Sequence, residues 1–291
     1  MFKNVLVGVD GTASGRDAIA LASLLLDADG KLTLAHVFSR LAKPLHAVTR
    51  ASAPADRAQA SELLSSERAQ AGPEAELVAV DAATPGRGLH EEAERQNADL
   101  LVLGTCHRGV LGRTLLGDDT RAALDGAPCA VAIAPAGFAR HASPLSSIGV
   151  GYDGSPESAA AVETARALAA PRHASVRALE LVSIPYYEYT GLAAGTVTEG
   201  GDMVEQRIVE AENRMGEISG VKGEARYGLA GEELAGLSGE VDLTIVGSRG
   251  YGPARRLIMG STSHYLERHA RGPLLILPRG TPPPRSIASS R

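Results

Sequence analysis

A run of glycines and hydroxyl side chains near residue 250 has the composition of an anion-binding site. Gly247 closes an apolar stretch, Gly250 follows three positions later, and Gly260 comes after nine further residues, directly before Ser-Thr-Ser at 261–263. Glycine permits positive φ and leaves backbone N–H groups uncovered. Such N–H groups beside a helix N-terminus bind anions, and hydroxyl side chains would add donors. This spacing therefore predicts a phosphate-binding loop that leads into a helix.

A carboxylate at the end of another apolar stretch would face the same loop. Asp153 directly follows residues 148–152, IGVGY. In an open α/β sheet, ligands bind at the carboxyl ends of the strands, where a carboxylate can accept hydrogen bonds from a ribose or an adenine amino group. The two features together predict a nucleotide pocket. The sequence contains no G-x-x-x-x-G-K-[ST] stretch, which excludes a P-loop.

The same landmarks occur earlier in the chain at a constant distance. Three pairs are each separated by 143 positions, namely Asp10 and Asp153, Gly104 and Gly247, and Gly117 and Gly260. A shared offset across separated landmarks is typical of tandem copies of one domain. We therefore predict two domains at 1–137 and 146–280, a linker at 138–145 and a disordered tail at 281–291.

Each copy alternates short apolar runs with longer segments of helical character. The predicted strands are 5–9, 32–37, 76–80, 100–103 and 130–134 in the first copy, and 148–152, 176–182, 223–227, 243–246 and 274–277 in the second. The predicted helices of the first copy are 14–26, 57–70, 88–96 and 113–124. Several strands are continuously apolar, as strands buried on both faces are. The pattern favours an α/β fold with two tandem doubly wound parallel sheets.

Two segments near the pocket have weaker patterns. Residues 185–201 cluster aromatic side chains without a period, and we interpret them as a loop over the site rather than an irregular lead-in to a helix. Arg249 could hold a phosphate or remain a solvated loop residue. Arg255 and Arg256 are interpreted as exposed helix residues rather than ligands.

The first copy departs from the pattern where phosphate would bind. His107 stands where the second copy has Gly250, and Asp118 stands where it has Ser261. A carboxylate about 4 Å from a phosphate charge costs about 4 kcal/mol at an effective dielectric of about 20, which is roughly a thousandfold in affinity. Asp118 and Asp119 could instead share a metal ion with the phosphate, or could simply cap a helix. We predict that the first copy binds a triphosphate poorly.

Composition excludes several classes of partner. A formal charge of −5 provides no electrostatic basis for binding nucleic acid or an anionic membrane. No apolar run reaches the roughly 20 residues that span a bilayer, and the first strand begins too early for a secretory signal, so we expect a cytoplasmic protein. Cys106 and Cys129 have no metal-ligand spacing and are predicted near opposite ends of a sheet, so we expect neither a metal site nor a disulfide.

Both copies resemble universal stress protein domains. The resemblance is carried by VGVDGT at 7–12 and VGYDGS at 150–155, by the strand DLTIVG at 242–247, and by the intact G-x2-G-x9-G-S pattern of the second copy. It implies ATP as ligand, with or without Mg²⁺, a strand order of 3-2-1-4-5, and pairing of the domains through their last strands.

The expected ligand-binding set follows from the motif and the resemblance together. In the second copy it comprises Gly151, Asp153, Leu181, Val246, Gly247, Arg249, Gly250, Gly260, Ser261, Thr262 and Ser263. The first-copy equivalents are Asp10, Val37, Gly104, Gly117 and Thr120. No catalytic residue is predicted, because phosphoryl transfer needs metal ligands and a group that orients the nucleophile, and Asp153 lies at the nucleoside end.

Three functional hypotheses follow. The first is a stress-response protein that binds ATP in its second domain and acts as a regulatory switch, by intramolecular domain pairing or as a homodimer. The second is a slow ATPase or nucleotidyl transferase that uses the same pocket. The third is a dimerising scaffold that binds no nucleotide.

Overall fold

Strands and helices alternate along both halves of the chain. The computed structural model describes residues 2–38, 52–105, 118–182, 197–248 and 256–280. The first half contains β1 (Phe2–Gly8), α1 (Ala13–Leu25), β2 (Leu26–Phe38), α2 (Ser52–Ala71), β3 (Glu76–Asp81), α3 (Pro85–Arg95), β4 (Leu100–Gly104), α4 (Asp118–Leu124) and β5 (Ala130–Ala134). The second half contains β6 (Ser147–Tyr152), α5 (Pro156–Ala169), β7 (Ser175–Val182), α6 (Val197–Gly216), β8 (Lys222–Tyr227), α7 (Ala230–Leu237), β9 (Leu243–Gly247), α8 (Ser261–His269) and β10 (Leu274–Leu277).

Short polar turns start the helices that follow the strands. Thr12 caps α1 by accepting a hydrogen bond from the backbone N–H of Ser14, and Ser155 caps α5 in the corresponding turn. Thr84 caps α3, which, like α5, has a proline in its first turn. A capping hydroxyl and an early proline both favour helix initiation. These local signals fix where each helix leaves the carboxyl end of its strand.

All ten strands of the described residues join one sheet. Its order is β3-β2-β1-β4-β5-β10-β9-β6-β7-β8, which confirms the predicted order 3-2-1-4-5 in each half. Neighbours within a half are parallel, whereas β5 and β10 pair antiparallel. The prediction that the two last strands pair with each other is therefore confirmed.

Helices cover both faces of the sheet, and each face has one apolar cluster that crosses the junction between the halves. Val5 and Val7 of β1 point into one cluster and Leu6 into the other, as the period of two requires. Ile148 belongs to the first cluster and Leu274 to the second, so both halves contribute to both. Among the described helices, none is long and apolar enough to cross a membrane.

Two local predictions need correction. The segment 185–201 is not a loop throughout, because α6 begins at Val197; residues 185–196 lie outside the described residues. Arg256 is exposed as expected but lies in a bend before α8, not in a helix, and Arg255 lies outside the described residues. Residues 118–124 of the predicted helix 113–124 form α4, and residues 113–117 lie outside the described residues.

The chain between the halves is ordered by one buried carboxylate. Asp17 of α1 is 3% exposed and accepts hydrogen bonds from the backbone N–H groups of Gly137 and Ala139, at 2.7 and 2.8 Å. Residues Phe138–Arg140 form a single 3₁₀ turn, and Leu145 is buried. The region predicted as a linker is thus packed against the first helix.

Candidate functional site

A cleft lies at the carboxyl ends of β6, β7 and β9. Its volume is about 270 Å³. The first turns of α5 and α8 border it on the polar side, and α7 borders it on the apolar side. The lining residues are Gly151, Tyr152, Asp153, Ser155, Glu157, Ser158, Leu179, Leu181, Ala230, Leu234, Val246, Gly247, Ser248, Gly260, Ser261, Thr262 and Ser263.

Asp153 stands at the mouth of the cleft in a tight turn. Its Oδ1 accepts a hydrogen bond from the backbone N–H of Ser155 at 3.0 Å, and its own N–H donates to Ser158 Oγ at 3.3 Å. Gly154, with φ of 75°, allows the turn. Burial raises the pKa of the Asp153 carboxyl, but the hydrogen bonds from Ser155 and Ser158 outweigh it, so the net pKa is below its ordinary value. The group is therefore an anion at neutral pH.

The N-terminus of α8 also borders the cleft. Gly260 is the capping residue, and the Ser263 hydroxyl turns back to accept a hydrogen bond from the Gly260 N–H at 2.8 Å. Ser263 is 2% exposed, so this hydroxyl stabilises the helix start from inside. Ser261 and Thr262 line the cleft beside it. The first N–H groups of a helix have no acceptor within the helix, which makes this end an electropositive one.

The glycines of the motif serve close packing rather than unusual backbone torsions. A Cβ on Gly247 would lie 2.8 Å from Glu157 Cβ, and one on Gly151 would lie 2.9 Å from Leu234 Cδ1. Gly260 has φ of −84°, and Gly247 is not among the residues with positive φ. The expectation of positive φ is therefore wrong for Gly247 and Gly260, whereas Gly250 lies outside the described residues. Gly247 and Gly151 let α5 and α7 approach the sheet closely at the two walls of the cleft.

Nine of the eleven residues predicted for this site do line the one cleft. They are Gly151, Asp153, Leu181, Val246, Gly247, Gly260, Ser261, Thr262 and Ser263. The other two, Arg249 and Gly250, lie outside the described residues.

Among the polar residues of the cleft that sequence reasoning missed, Glu157 and Ser248 bear most on its chemistry. Glu157, in the first turn of α5, has a side chain 13% exposed, and its Oε1 lies 3.7 Å from Arg279 Nε. An acidic residue in the first turn of a helix is favoured by the helix dipole, which gave a signal for its place on α5 but not for its place in the cleft. Ser248 Oγ is buried without a hydrogen-bond partner in the described structure. A buried hydroxyl of this kind costs free energy unless a ligand or water satisfies it.

The described first-half equivalents occupy corresponding places in the fold. Asp10 keeps the same turn, with Oδ1 accepting hydrogen bonds from Thr12 N at 3.0 Å and Thr12 Oγ1 at 2.7 Å. Val37 is half-buried and packs near Gly88, and a Cβ on Gly104 would lie 2.0 Å from the Ser14 carbonyl oxygen. Thr120 lies in α4. Cys106, His107 and Gly117 lie outside the described residues, and Cys129 is a buried free cysteine.

Family comparison assigns both halves to one family. The model of the universal stress protein family matches residues 1–135 and again 145–278. This chain belongs to the universal stress protein family, in a tandem two-domain form. The resemblance in the motifs is thereby confirmed for nearly the whole chain.

Individual relatives agree with the family assignment. The universal stress protein Rv1996 of Mycobacterium tuberculosis is 30% identical over 155 residues, covering 47% of this chain and 49% of the relative. The universal stress protein Rv2005c of the same organism is 29% identical over 191 residues, covering 62% of this chain and 61% of the relative. The chain thus matches between about half and three fifths of the length of these curated universal stress proteins.

Solved structures share the two-domain fold. A universal stress protein from Archaeoglobus fulgidus superimposes with a TM-score of 0.66 at 18% identity, over 95% of this chain and 98% of that one. A universal stress protein described as putative, from Pseudomonas aeruginosa, gives a TM-score of 0.62 at 16% identity, over 95% and 94% of the two chains. At these identities the likeness concerns the fold alone.

Proposed function

We propose that this universal stress protein binds ATP in the cleft of its second domain and acts as a nucleotide-dependent regulator of a stress response. The observation that carries the proposal is the convergence, in one cleft, of an ionised carboxylate at Asp153 and the N-terminus of α8. A nucleoside acceptor at one end and an anion site at the other match the two ends of a nucleotide.

The nucleoside end has an apolar wall that suits a flat base. Leu179, Leu234 and Val246 are each at most 4% exposed and belong to one cluster, with Leu181 packed against it. Gly151 packs against Leu234 and Val246 of this wall, where a Cβ would come within 2.9 Å of Leu234 Cδ1. The Asp153 carboxylate would accept a hydrogen bond from ribose or base.

The phosphate end supplies donors but also one carboxylate. The Ser261 and Thr262 hydroxyls and the free N–H groups of α8 would bind phosphate oxygens, and Ser248 Oγ needs a partner. The Glu157 carboxylate would repel a phosphate group, although its ion pair with Arg279 offsets part of this repulsion. Mg²⁺ bound with ATP would neutralise part of the phosphate charge.

A regulatory output fits the cleft better than rapid turnover. Phosphoryl transfer needs metal ligands and a residue that orients the nucleophile. Of the described cleft residues, Asp153 lies at the nucleoside end and Glu157 is paired with Arg279. We infer that ATP is held and hydrolysed slowly, and that its binding shifts the protein between two states by differential affinity.

The test is a calorimetric titration of the full chain with ATP. It compares wild type with two variants, each of which carries at one position the residue of the other domain. Wild type should bind about one ATP per chain. Ser261→Asp, which installs the residue of the first domain, should weaken binding by roughly a thousandfold. The matched control Asp118→Ser should leave the second-domain affinity unchanged. Two equivalent sites in wild type, or no ATP binding at all, would refute the proposal, and the latter would favour a scaffold.

A further inference from the structure

The segment that leads into α8 is hydrogen-bonded to the first domain. The Leu257 N–H donates to the Ala127 carbonyl, and the Gly126 N–H donates to the Leu257 carbonyl, both at 2.9 Å. Leu257 is fully buried in the same cluster as Leu124 and Ala127. The three residues 257–259 connect this contact directly to Gly260. The backbone before the phosphate end of the cleft is therefore fixed by the turn between α4 and β5.

Arg256 reinforces the contact from the surface. Its Nη2 lies 2.6 Å from Glu94 Oε1 of α3, and its Nη1 donates to the Gly126 carbonyl at 3.0 Å. One guanidinium thus joins the helix α3, the α4–β5 turn and the segment before α8. Both side chains are nearly half exposed, so the pair can be altered without opening the core.

The helix α8 itself is held by a second, buried pair. Glu267 has a side chain 1% exposed, and its Oε1 accepts a hydrogen bond from Arg121 Nε of α4 at 3.0 Å. Its Oε2 lies 3.3 Å from His264 Nδ1 on the same helix. A buried carboxylate needs such partners, because leaving it unpaired costs several kcal/mol. This pair fixes the orientation of α8 relative to the first domain.

In the sequence, the two carboxylates of these pairs are not repeated. At the repeat offset of 143, Glu94 corresponds to Leu237 and Glu267 corresponds to Leu124. Among the described residues, both ion pairs that cross the junction hold the segment before α8 or α8 itself, and the leucines at the equivalent positions cannot form such pairs. The asymmetry coincides with the intact phosphate motif, which also occurs in the second domain.

We propose that Glu94 and Arg121 of the first domain are positioning residues for the phosphate end of the second-domain site. They act through Arg256 and Glu267 on the segment 256–263 and set its affinity for the phosphate chain of a nucleotide. The first domain, whose own motif is altered, thus has a role in ligand binding by the second. This inference rests on the proposed function.

The expected effect is moderate and specific to phosphate. An exposed ion pair typically changes an equilibrium by a factor of roughly 1.5 to 5, and reversing one charge adds repulsion. Glu94→Arg should therefore weaken ATP binding by about fivefold. Adenosine, which has no phosphate to reach α8, should bind with unchanged affinity. A general loss of structure would instead weaken both ligands.

The experiment compares Glu94→Arg with Glu91→Arg in the full chain. Glu91 lies on the same helix and pairs with Arg87 of that helix, so its reversal removes an exposed ion pair that does not cross the junction. Calorimetry with ATP and with adenosine gives the affinities. The double variant Glu94→Arg/Arg256→Glu restores opposite charges and should recover most of the ATP affinity.

A second measurement needs no nucleotide. Hydrogen exchange of the Leu257 and Gly126 N–H groups in the ligand-free protein should be faster in Glu94→Arg than in Glu91→Arg. Unchanged exchange, or equal weakening of ATP and adenosine, would overturn the positioning role. Absence of ATP binding by wild type would overturn the proposed function, and with it the role of Glu94 and Arg121 in ATP affinity. The hydrogen-exchange data would still show whether these residues hold the segment 256–263 in place.

Discussion

Ala132 and Leu275 occupy equivalent positions of the two domains and face each other across the antiparallel junction of β5 and β10. They are 143 positions apart. The flanking pairs are related by the same symmetry. Ile133 lies opposite Leu274 and Val131 lies opposite Ile276, and the repeat offset converts each of these pairs into the other. An approximate twofold axis therefore passes through this pair, as the repeat predicts.

A charge at the axis should disrupt the junction. Ala132 is fully buried, and burial of an uncompensated polar group costs about 2–7 kcal/mol. We expect Ala132→Asp to lower the free energy of unfolding by at least 2 kcal/mol in a urea titration. The control Ala58→Asp, on an exposed position of α2, should cost no more than about 0.7 kcal/mol. Equal losses for the two variants would argue against a tightly packed junction.

Two glycines of the motif should be required for stability whether or not nucleotide binds. A Cβ on Gly104 would meet the Ser14 carbonyl oxygen at 2.0 Å, which only a shift of α1 could relieve. Gly104→Ala and Gly247→Ala should each cost about 1–3 kcal/mol without ligand. Gly236→Ala in α7, where a Cβ has open space, should be neutral or stabilising by up to about 1 kcal/mol. Chemical denaturation of ligand-free protein separates these outcomes.

Asp99 and Asp242 are equivalent carboxylates with opposite pKa shifts. Asp242 Oδ2 accepts hydrogen bonds from the N–H and hydroxyl groups of both Ser146 and Ser147. These outweigh the effect of burial and lower its pKa. At Asp99 burial dominates and raises the pKa, although the N–H groups of Lys3 and Asn4 partly offset it. Two causes produce the difference: Asp99 is the more deeply buried carboxyl, and Ser146 and Ser147, which stand where the first domain has Lys3 and Asn4, add two hydroxyl donors to Asp242.

The two carboxylates should therefore respond oppositely to pH. The lowered pKa of Asp242 contributes stability above the unfolded pKa near 3.9, and this contribution is lost as pH falls through the folded pKa. The raised pKa of Asp99 contributes stability below the unfolded value and loses it as pH rises. Asp242→Asn should lower the free energy of unfolding by about 1.5–3 kcal/mol at pH 7 and by less at pH 3. Asp99→Asn should show the reverse trend, with a smaller loss at pH 7 than at pH 3. Urea titrations of both variants at pH 3 and pH 7 would show whether their losses in stability change in opposite directions with pH.

Turnover should be slow and should not depend on Glu157. Enzymes typically turn over about 1–1000 times per second, and a site without a nucleophile-orienting residue loses most of that acceleration. We expect wild type and Glu157→Gln to hydrolyse ATP at less than about one per second and within about twofold of each other. A large loss in Glu157→Gln, on protein free of contaminating ATPase, would instead identify this carboxylate as part of a catalytic site.

The sequence was sufficient for the repeat, the strand order and most of the cleft. Asp153 and the hydroxyls at 261–263 were predictable because strand ends and helix starts have local signals. Glu157 was missed because its place beside Gly247 depends on how closely α5 approaches β9. Arg256 was assigned to a helix because no local pattern reveals that its partner is Glu94, 162 residues away. Such contacts follow from the junction, which forms only when both domains are folded.

Duplication within one chain permits a difference that self-association of identical subunits forbids. In a symmetric dimer, a carboxylate at the position of Glu267 would occur twice about the axis, and its leucine counterpart could not exist. Here one side has Glu267 and the other has Leu124. Covalent fusion thus frees each domain to change separately, so that one can lose its ligand motif while its surface is retained as a support for the other.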